Sequence, residues 1–132
     1  MKARDRAEKI MAEMAIIVEF ETKPGSEEAF IAHISDHARR TLAEEPGCLR
    51  FEVIKPIERD GTPIPNRVLV NELYADIDAV TAHERNPRMP ALSAVLAPLL
   101  ASRRLILAQK LNGSGPSDEG LRPQDLNAEN DG

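Results

Sequence analysis

The sequence predicts an α+β fold in which four antiparallel strands carry helices on one face. Three observations predict it. Segments with a hydrophobic period of two and of 3.6 follow one another in the order β-α-β-β-α-β. An Asp60-Gly61 turn flanked by prolines separates the two adjacent strand segments, which suits an antiparallel pair. The strands are also apolar at both parities, so the sheet has two faces to cover.

The first strand runs from Met14 to Lys23, where Ile16, Val18 and Phe20 alternate with Ile17, Glu19 and Glu21. Pro24-Gly25 ends it. Ser26, followed by Glu27 and Glu28, supplies an N-cap with acids in the first turn. The helix over Glu27 to Glu44 has an apolar stripe of Phe30, Ile31, Ile34, Ala38 and Leu42, and Pro46-Gly47 stops it. A second strand, Cys48 to Ile57, places Leu49, Phe51 and Val53 on one face. Glu58 to Pro65 is a long turn, and Arg67 to Tyr74 is the third strand. Asp76 caps a second helix that runs to Arg85 and is interrupted at Asn86-Pro87. Met89 to Leu100 resumes an apolar helical face, which Pro98 bends or ends. Arg103 to Leu111 alternates again as the last strand. This order is the ferredoxin-like arrangement. No chain is left to cover the second sheet face, so a homodimer packed sheet to sheet is expected.

The 132 residues fit one domain, expected over 14–111, with a formal charge of -5 for the whole chain. Residues 1–13 form an N-terminal extension. The segment 112–132 carries -4 of the charge and offers only Leu121 and Leu126 for burial, so a disordered acidic tail is expected. Apolar runs fall short of the roughly 18–20 residues a membrane span needs, so no membrane partner is expected. The first thirteen residues lack the apolar stretch of a secretory signal, and a lone Cys48 fits a reducing cytoplasm. Net acidity without a basic cluster argues against nucleic acid as a partner.

Several motifs bear on function. Phe20-Glu21-Thr22-Lys23-Pro24-Gly25 is followed by Phe30, by Glu44-Glu45-Pro46-Gly47-Cys48-Leu49-Arg50-Phe51, by Glu72-Leu73-Tyr74-Ala75-Asp76 and by Ala82-His83. Together they resemble the antibiotic biosynthesis monooxygenase domain family, over about Ala15 to Leu111. The resemblance implies a dimeric α+β barrel of ferredoxin-like protomers, each with a cavity between its sheet and its helices. Some members of that family oxidise quinols or polyaromatic phenols with molecular oxygen and no cofactor, which the resemblance makes the expected activity here. Relatives of similar sequence isomerise a phosphorylated signalling molecule, and heme-degrading enzymes share the fold. Two departures stand out. Where many members read A-H-x-x-T-P-H, this chain has Ala82-His83-Glu84-Arg85-Asn86-Pro87-Arg88, and Asn71 replaces an aromatic of the isomerase relatives. The heme branch is disfavoured, because Ser93 falls near its ligand histidine and His83 at its tryptophan.

Oxidation of a phenol by oxygen needs a base, polar groups to hold the anion, and an apolar pocket. His83 is the candidate base, with Glu72 holding its other ring nitrogen; a purely structural His–Glu bond is the competing account. Tyr74 shares the face of Glu72 and either donates to a developing oxyanion or caps the barrel mouth with a wet hydroxyl. Asn71 falls on the opposite face, where it suits a dimer interface better than a substrate. His33 and His37 lie four apart on one helix side; a metal pair lacks partner ligands, and His37 lines the cavity or a solvated edge. Arg50 meets an anionic substrate or pairs with Glu72 or Glu52, and Phe51 opposite it is core or pocket wall. Cys48 is a buried structural thiol.

Three function classes follow. The first is a monooxygenase acting on a small aromatic or quinol-like substrate with O2. The second is an isomerase or other proton-transfer enzyme acting on a small carbonyl compound; a phosphorylated one would need two or more converging bases, which Arg50, Arg67 and Arg88 could supply. The third is a non-catalytic ligand-binding dimer module.

Overall fold

The computed structural model describes residues 12–113. The N-terminal extension and the acidic tail lie outside the described residues, except for the two residues of each that adjoin the domain. Strands β1 (Met14–Thr22), β2 (Cys48–Ile54), β3 (Arg67–Tyr74) and β4 (Leu100–Gln109) alternate with helices α1 (Glu27–Glu44), α2 (Ile77–Glu84) and α3 (Arg88–Leu96). A 3-10 turn, Ala97–Leu99, links α3 to β4. All strand pairs are antiparallel, in the order β2-β3-β1-β4, as the ferredoxin-like expectation requires.

Register fixes which side chains meet the helices. Ile16 pairs with Glu72, Val18 with Val70 and Phe20 with Val68, so the even positions of β1 and β3 share the helix-facing side. Met14, Ile16, Val18, Phe20, Val68, Val70 and Tyr74 pack there with Phe30, Ile34 and Ala38 of α1 and Val80 of α2. At about 25 cal/mol per Å², this apolar burial is the main force holding helices to sheet.

Local departures from the expected pattern have physical causes. On α1 the face turned to the core is Phe30, Ile34, His37, Ala38 and Thr41, while Leu42 is left exposed. Ser26 occupies the N-cap position, but its side chain makes no capping bond. On β2 the register slips between Cys48 and Arg50, a bulge in which Leu49 is the extra residue. Cys48 and Phe51 therefore point inward together, and Leu49 stands exposed instead of sharing Phe51's face. The strand ends at Ile54, just before Pro56. Pro98 ends α3 as a 3-10 turn, and β4 starts at Leu100, three residues earlier than the alternation indicated.

The outer sheet face carries Ala15, Ile17, Leu69, Leu73, Ile106 and Ala108 among charged neighbours. Among strand residues, the apolar side chains left most open lie elsewhere: Leu105 is 57% and Leu107 50% exposed, on the helix-facing side of edge strand β4. Among the described residues, no helix is long and apolar enough to cross a membrane.

Candidate functional site

The polar centre of the protein is assembled where α1 ends. Glu45 is the C-cap of α1, with extended backbone and its N–H donated to Thr41 O at 2.9 Å. Pro46-Gly47 then turns the chain into β2. Asp76 caps α2 by accepting from the Ala79 N–H at 2.8 Å, which seats the start of that helix on the turn. The approach is close enough that a Cβ on Gly47 would come within 2.5 Å of the Ala79 Cβ. Further along α2, His83 reaches back to Glu45: its Nδ1 lies 2.9 Å from Oε1 and 3.2 Å from Oε2. Asn86 donates to Oε2 at 2.9 Å, and the Arg88 Nη2 stands 3.5 Å from the same oxygen. A carboxylate accepting at Nδ1 places the ring proton there, so the neutral imidazole keeps its lone pair on Nε2.

Glu72 and Tyr74 approach from β3. Tyr74, fully buried, donates its hydroxyl to Glu72 Oε1 at 2.6 Å. That oxygen lies 3.8 Å from His83 Nε2, too far for a hydrogen bond. Burial pushes the Glu72 carboxyl up to about 7, with the Tyr74 hydrogen bond opposing and the Glu45 charge adding to the shift. Burial, and then the Glu72 charge, hold the Tyr74 phenol above its ordinary range. Two expectations are thereby corrected. The carboxylate bound to His83 is Glu45 rather than Glu72, and the Tyr74 hydroxyl is neither wet nor free, because β3 buries it against Glu72.

His37 completes the centre from α1. It is 4% exposed, and its ring centroid lies 5.4 Å from those of His83 and Phe51. Its Nδ1 accepts from Arg88 Nη1 at 3.1 Å. Burial, then the nearness of His83 and of the Arg88 guanidinium, press its pKa down to about 4. His33, Asp36, His37, Arg40 and Arg88 line one side of a half-open cleft of about 170 Å³ between α1 and α3, with Ala91, Leu92 and Val95 on the other. A larger cavity of about 580 Å³ lies between α3 and the start of β4 and includes Leu92, but none of the polar centre. We take the smaller one as the approach to the site, because it reaches His37 and Arg88; His83, Glu45, Glu72 and Tyr74 lie behind them and do not line it.

Other candidates lie elsewhere. Asn71 projects from the outer sheet face and donates to Glu52 Oε1 at 3.1 Å, away from the cavity. Arg50 is exposed on that same face, beyond the bulge, and makes no ion pair with Glu72 or Glu52 among the described residues. Arg67 also lies there, 3.9 Å from Glu21, so Arg50 and Arg67 do not converge with Arg88 on a phosphate. Phe51 is core, its ring edge against His37. Cys48 is buried, its thiol donating to Arg50 O and pushed up by burial. Pattern reading missed Glu45, Asn86 and the Arg88–His37 contact. Their signal lay in the Glu44-Glu45-Pro46-Gly47 block and the Asn86-Pro87-Arg88 departure, which periodicity does not interpret.

Several solved structures share this architecture. A Caulobacter crescentus protein named as a candidate antibiotic biosynthesis monooxygenase superposes with a TM-score of 0.68 at 21% identity, covering 82% of this chain and 98% of its own. A Nitrosomonas europaea protein named in the same way gives 0.67 at 22% identity, with 79% and 95% covered. A protein of Bacteroides fragilis, described as dimeric, of unknown function and ferredoxin-like in fold, gives 0.60 at 15% identity, with 74% and 96% covered. At these identities the likeness is one of fold. Among proteins of curated function none matches. The sequence model of the antibiotic biosynthesis monooxygenase family matches residues 14–94, from the first residue of β1 well into α3 and including every member of the polar centre, and the chain belongs to that family.

Proposed function

We propose that the protein is a monooxygenase that oxidises a small phenol or quinol with molecular oxygen and without a bound cofactor. The observation that carries this is the His83–Glu45 pair. A buried imidazole held at Nδ1 by a carboxylate keeps Nε2 as a base, with the Glu72 carboxyl 3.8 Å away and the Tyr74 and His37 rings beside it. His83 takes the phenolic proton, and the electron-rich anion gives an electron pair to O2 as a ring carbon–oxygen bond forms. The O–O bond then breaks. One oxygen stays on the ring as a carbonyl and the other leaves as water, so a phenol and O2 become a quinone and water. Glu72, whose carboxyl titrates near neutrality, supplies the proton that the departing oxygen needs.

Oxygen uptake by metal-free protein across a panel of phenols and quinols tests this, with His83→Ala beside the wild type. Substrate-dependent uptake that falls by about 10²–10⁴-fold in the variant is the expected result. Absence of uptake across the panel, or uptake unchanged in the variant, overturns it. The phosphorylated-carbonyl alternative is not favoured, because Arg50 and Arg67 stand at opposite ends of β3 on the outer face, and Arg88 lies among the helices on the other side of the sheet.

A homodimer belongs to the same proposal. The open Leu105 and Leu107 on an edge strand, and the half-apolar outer face, are surfaces a second copy would cover.

A further inference from the structure

The two buried histidines are anchored at the same ring atom by groups of opposite charge. His83 Nδ1 meets the Glu45 carboxylate at 2.9 Å, and His37 Nδ1 meets the Arg88 guanidinium at 3.1 Å. A carboxylate only accepts and a guanidinium only donates, so the two rings are driven into opposite tautomers. His83 carries its proton on Nδ1 and offers a lone pair at Nε2. His37 carries its lone pair on Nδ1 and its proton on Nε2. We propose, resting on the site described above, that His37 presents its Nε2–H to the anionic oxygen of the bound substrate, with Arg88 as the positioning residue that holds the ring in that tautomer.

The surroundings favour this division of labour. The charged and titratable groups around His37 are His33, Asp36 and Arg40 on its own helix, His83 on α2 and Arg88 on α3, while the sheet contributes the apolar Phe51. Burial first, then the neighbouring His83 and the two arginines, against an opposing Asp36, keep the ring from accepting a second proton near neutral pH. A neutral imidazole then serves as a donor to developing negative charge without surrendering its proton, as preorganised oxyanion donors do. The cavity in front of it is apolar on one side, with Ala91, Leu92 and Val95, and measures about 170 Å³. That is close to the space of ~150 Å³ known to hold one benzene ring. The fitting ligand is therefore a single-ring phenolate, or one hydroxylated ring of a larger molecule. Arg88 also gives the departure from the A-H-x-x-T-P-H pattern a physical meaning: a histidine there accepts as well as donates and sets no tautomer.

Nitrogen-15 NMR of histidine-labelled full-length protein from pH 5 to 8 reads the tautomer, and optical titration with 4-nitrophenol reads phenolate binding. His37 should show a protonated Nε2 and a bare Nδ1 throughout. In Arg88→Met it should lose that single tautomer and protonate at higher pH. The probe should bind as phenolate and be released about 10²-fold more readily by His37→Phe, with partial recovery in His37→Gln, whose amide can still donate. A proton on Nδ1 of His37, or equal phenolate binding in the Phe variant, overturns the assignment. The wild-type spectrum decides even where a variant fails to fold. Phenolate held through His37 without any oxygen uptake would remove the oxygenase proposal and leave this one standing. Uptake that is normal in folded His37→Phe would do the reverse.

Discussion

His83 and Glu45 are 38 positions apart in the chain, yet their side chains meet at 2.9 Å, with only 5% and 14% of each exposed to solvent. The contact joins the end of α1 to the end of α2, and both helix ends are set by short local devices. Glu45 is fixed as a C-cap ahead of Pro46-Gly47, and His83 by a helix whose start Asp76 caps. Asn86 and Arg88 then occupy the second carboxylate oxygen, so Glu45 is held from three directions. The result is an imidazole already held in place, the preorganisation that the proposed general base needs.

Replacing Glu45 with glutamine should test that preorganisation. An amide can turn its NH2 toward Nδ1 and move the ring proton to Nε2, which removes the lone pair from the reacting side. Turnover in Glu45→Gln should fall by about 10²–10⁴-fold, the range of a lost general base, with fold and melting temperature little changed. Histidine nitrogen-15 shifts should show the tautomer of His83 inverted. Unaltered turnover in a variant with an inverted tautomer would mean that His83 is not the base.

Much of this arrangement was legible in the chain, and the rest was not for identifiable reasons. Alternation in Met14–Thr22 and Arg67–Tyr74 placed Glu72 and Tyr74 on one face and Asn71 on the other, because regular strands preserve parity. Parity failed in β2, where the bulge at Leu49 inserts a residue that no periodic pattern announces. His83 stood out by its chemistry. Glu45 did not, because a glutamate before Pro-Gly reads as an exposed helix end, and its burial depends on α2 lying across it. The helix stripe erred at Leu42 for a similar reason: His37 and Thr41 take the buried side because a polar cluster, not an apolar core, fills that part of the interface.

Gly47→Ala should show how finely that helix crossing is set. The added methyl would stand 2.5 Å from Ala79 Cβ, a distance that forces α2 away from the turn. Overpacking of this kind costs about 1–3 kcal/mol, measurable by urea denaturation. The same displacement should lengthen the Glu45–His83 contact and lower turnover. Ala79→Gly in the same chain restores the space, at a helix-propensity cost of about 1 kcal/mol. The double variant should therefore be more stable than Gly47→Ala combined additively with Ala79→Gly. Simple additivity would show that the close approach is relieved elsewhere.

Leu105 and Leu107 offer a test of association. They sit beside Val18 and Ile16 in register, on an edge strand, and remain at least half exposed in a single copy. Replacing both with aspartate should leave the monomer core intact, since neither packs within it. Burying a leucine contributes about 1.5–3 kcal/mol, so dimer dissociation should rise by at least about 100-fold. Analytical ultracentrifugation reads this directly. A wild-type chain that is monomeric at all accessible concentrations, or a dimer indifferent to both aspartates, removes the edge-strand interface.

Stability against pH should expose the two perturbed groups together. Glu72 has its folded pKa raised from 4.5 to about 7, so the folded state binds the proton more tightly and stability falls as pH rises through that interval. His37 has its folded pKa lowered from 6.5 to about 4, so the unfolded state binds the proton more tightly and stability falls as pH drops through that interval. Each shift amounts to about 3 kcal/mol of linkage at its full extent. Between pH 4.5 and 6.5 the two slopes have opposite signs and nearly cancel, and the wild-type profile should be flat there. Removing either group should uncover the other. His37→Phe should lose stability steadily as pH rises from 4.5 to 7, and Glu72→Gln should lose it as pH falls from 6.5 to 4. Denaturant midpoints at half-unit pH intervals would resolve both slopes. Variants whose profiles stay as flat as the wild type would show that neither group titrates away from its ordinary range, and Glu72 would then lose its role as proton donor near neutral pH.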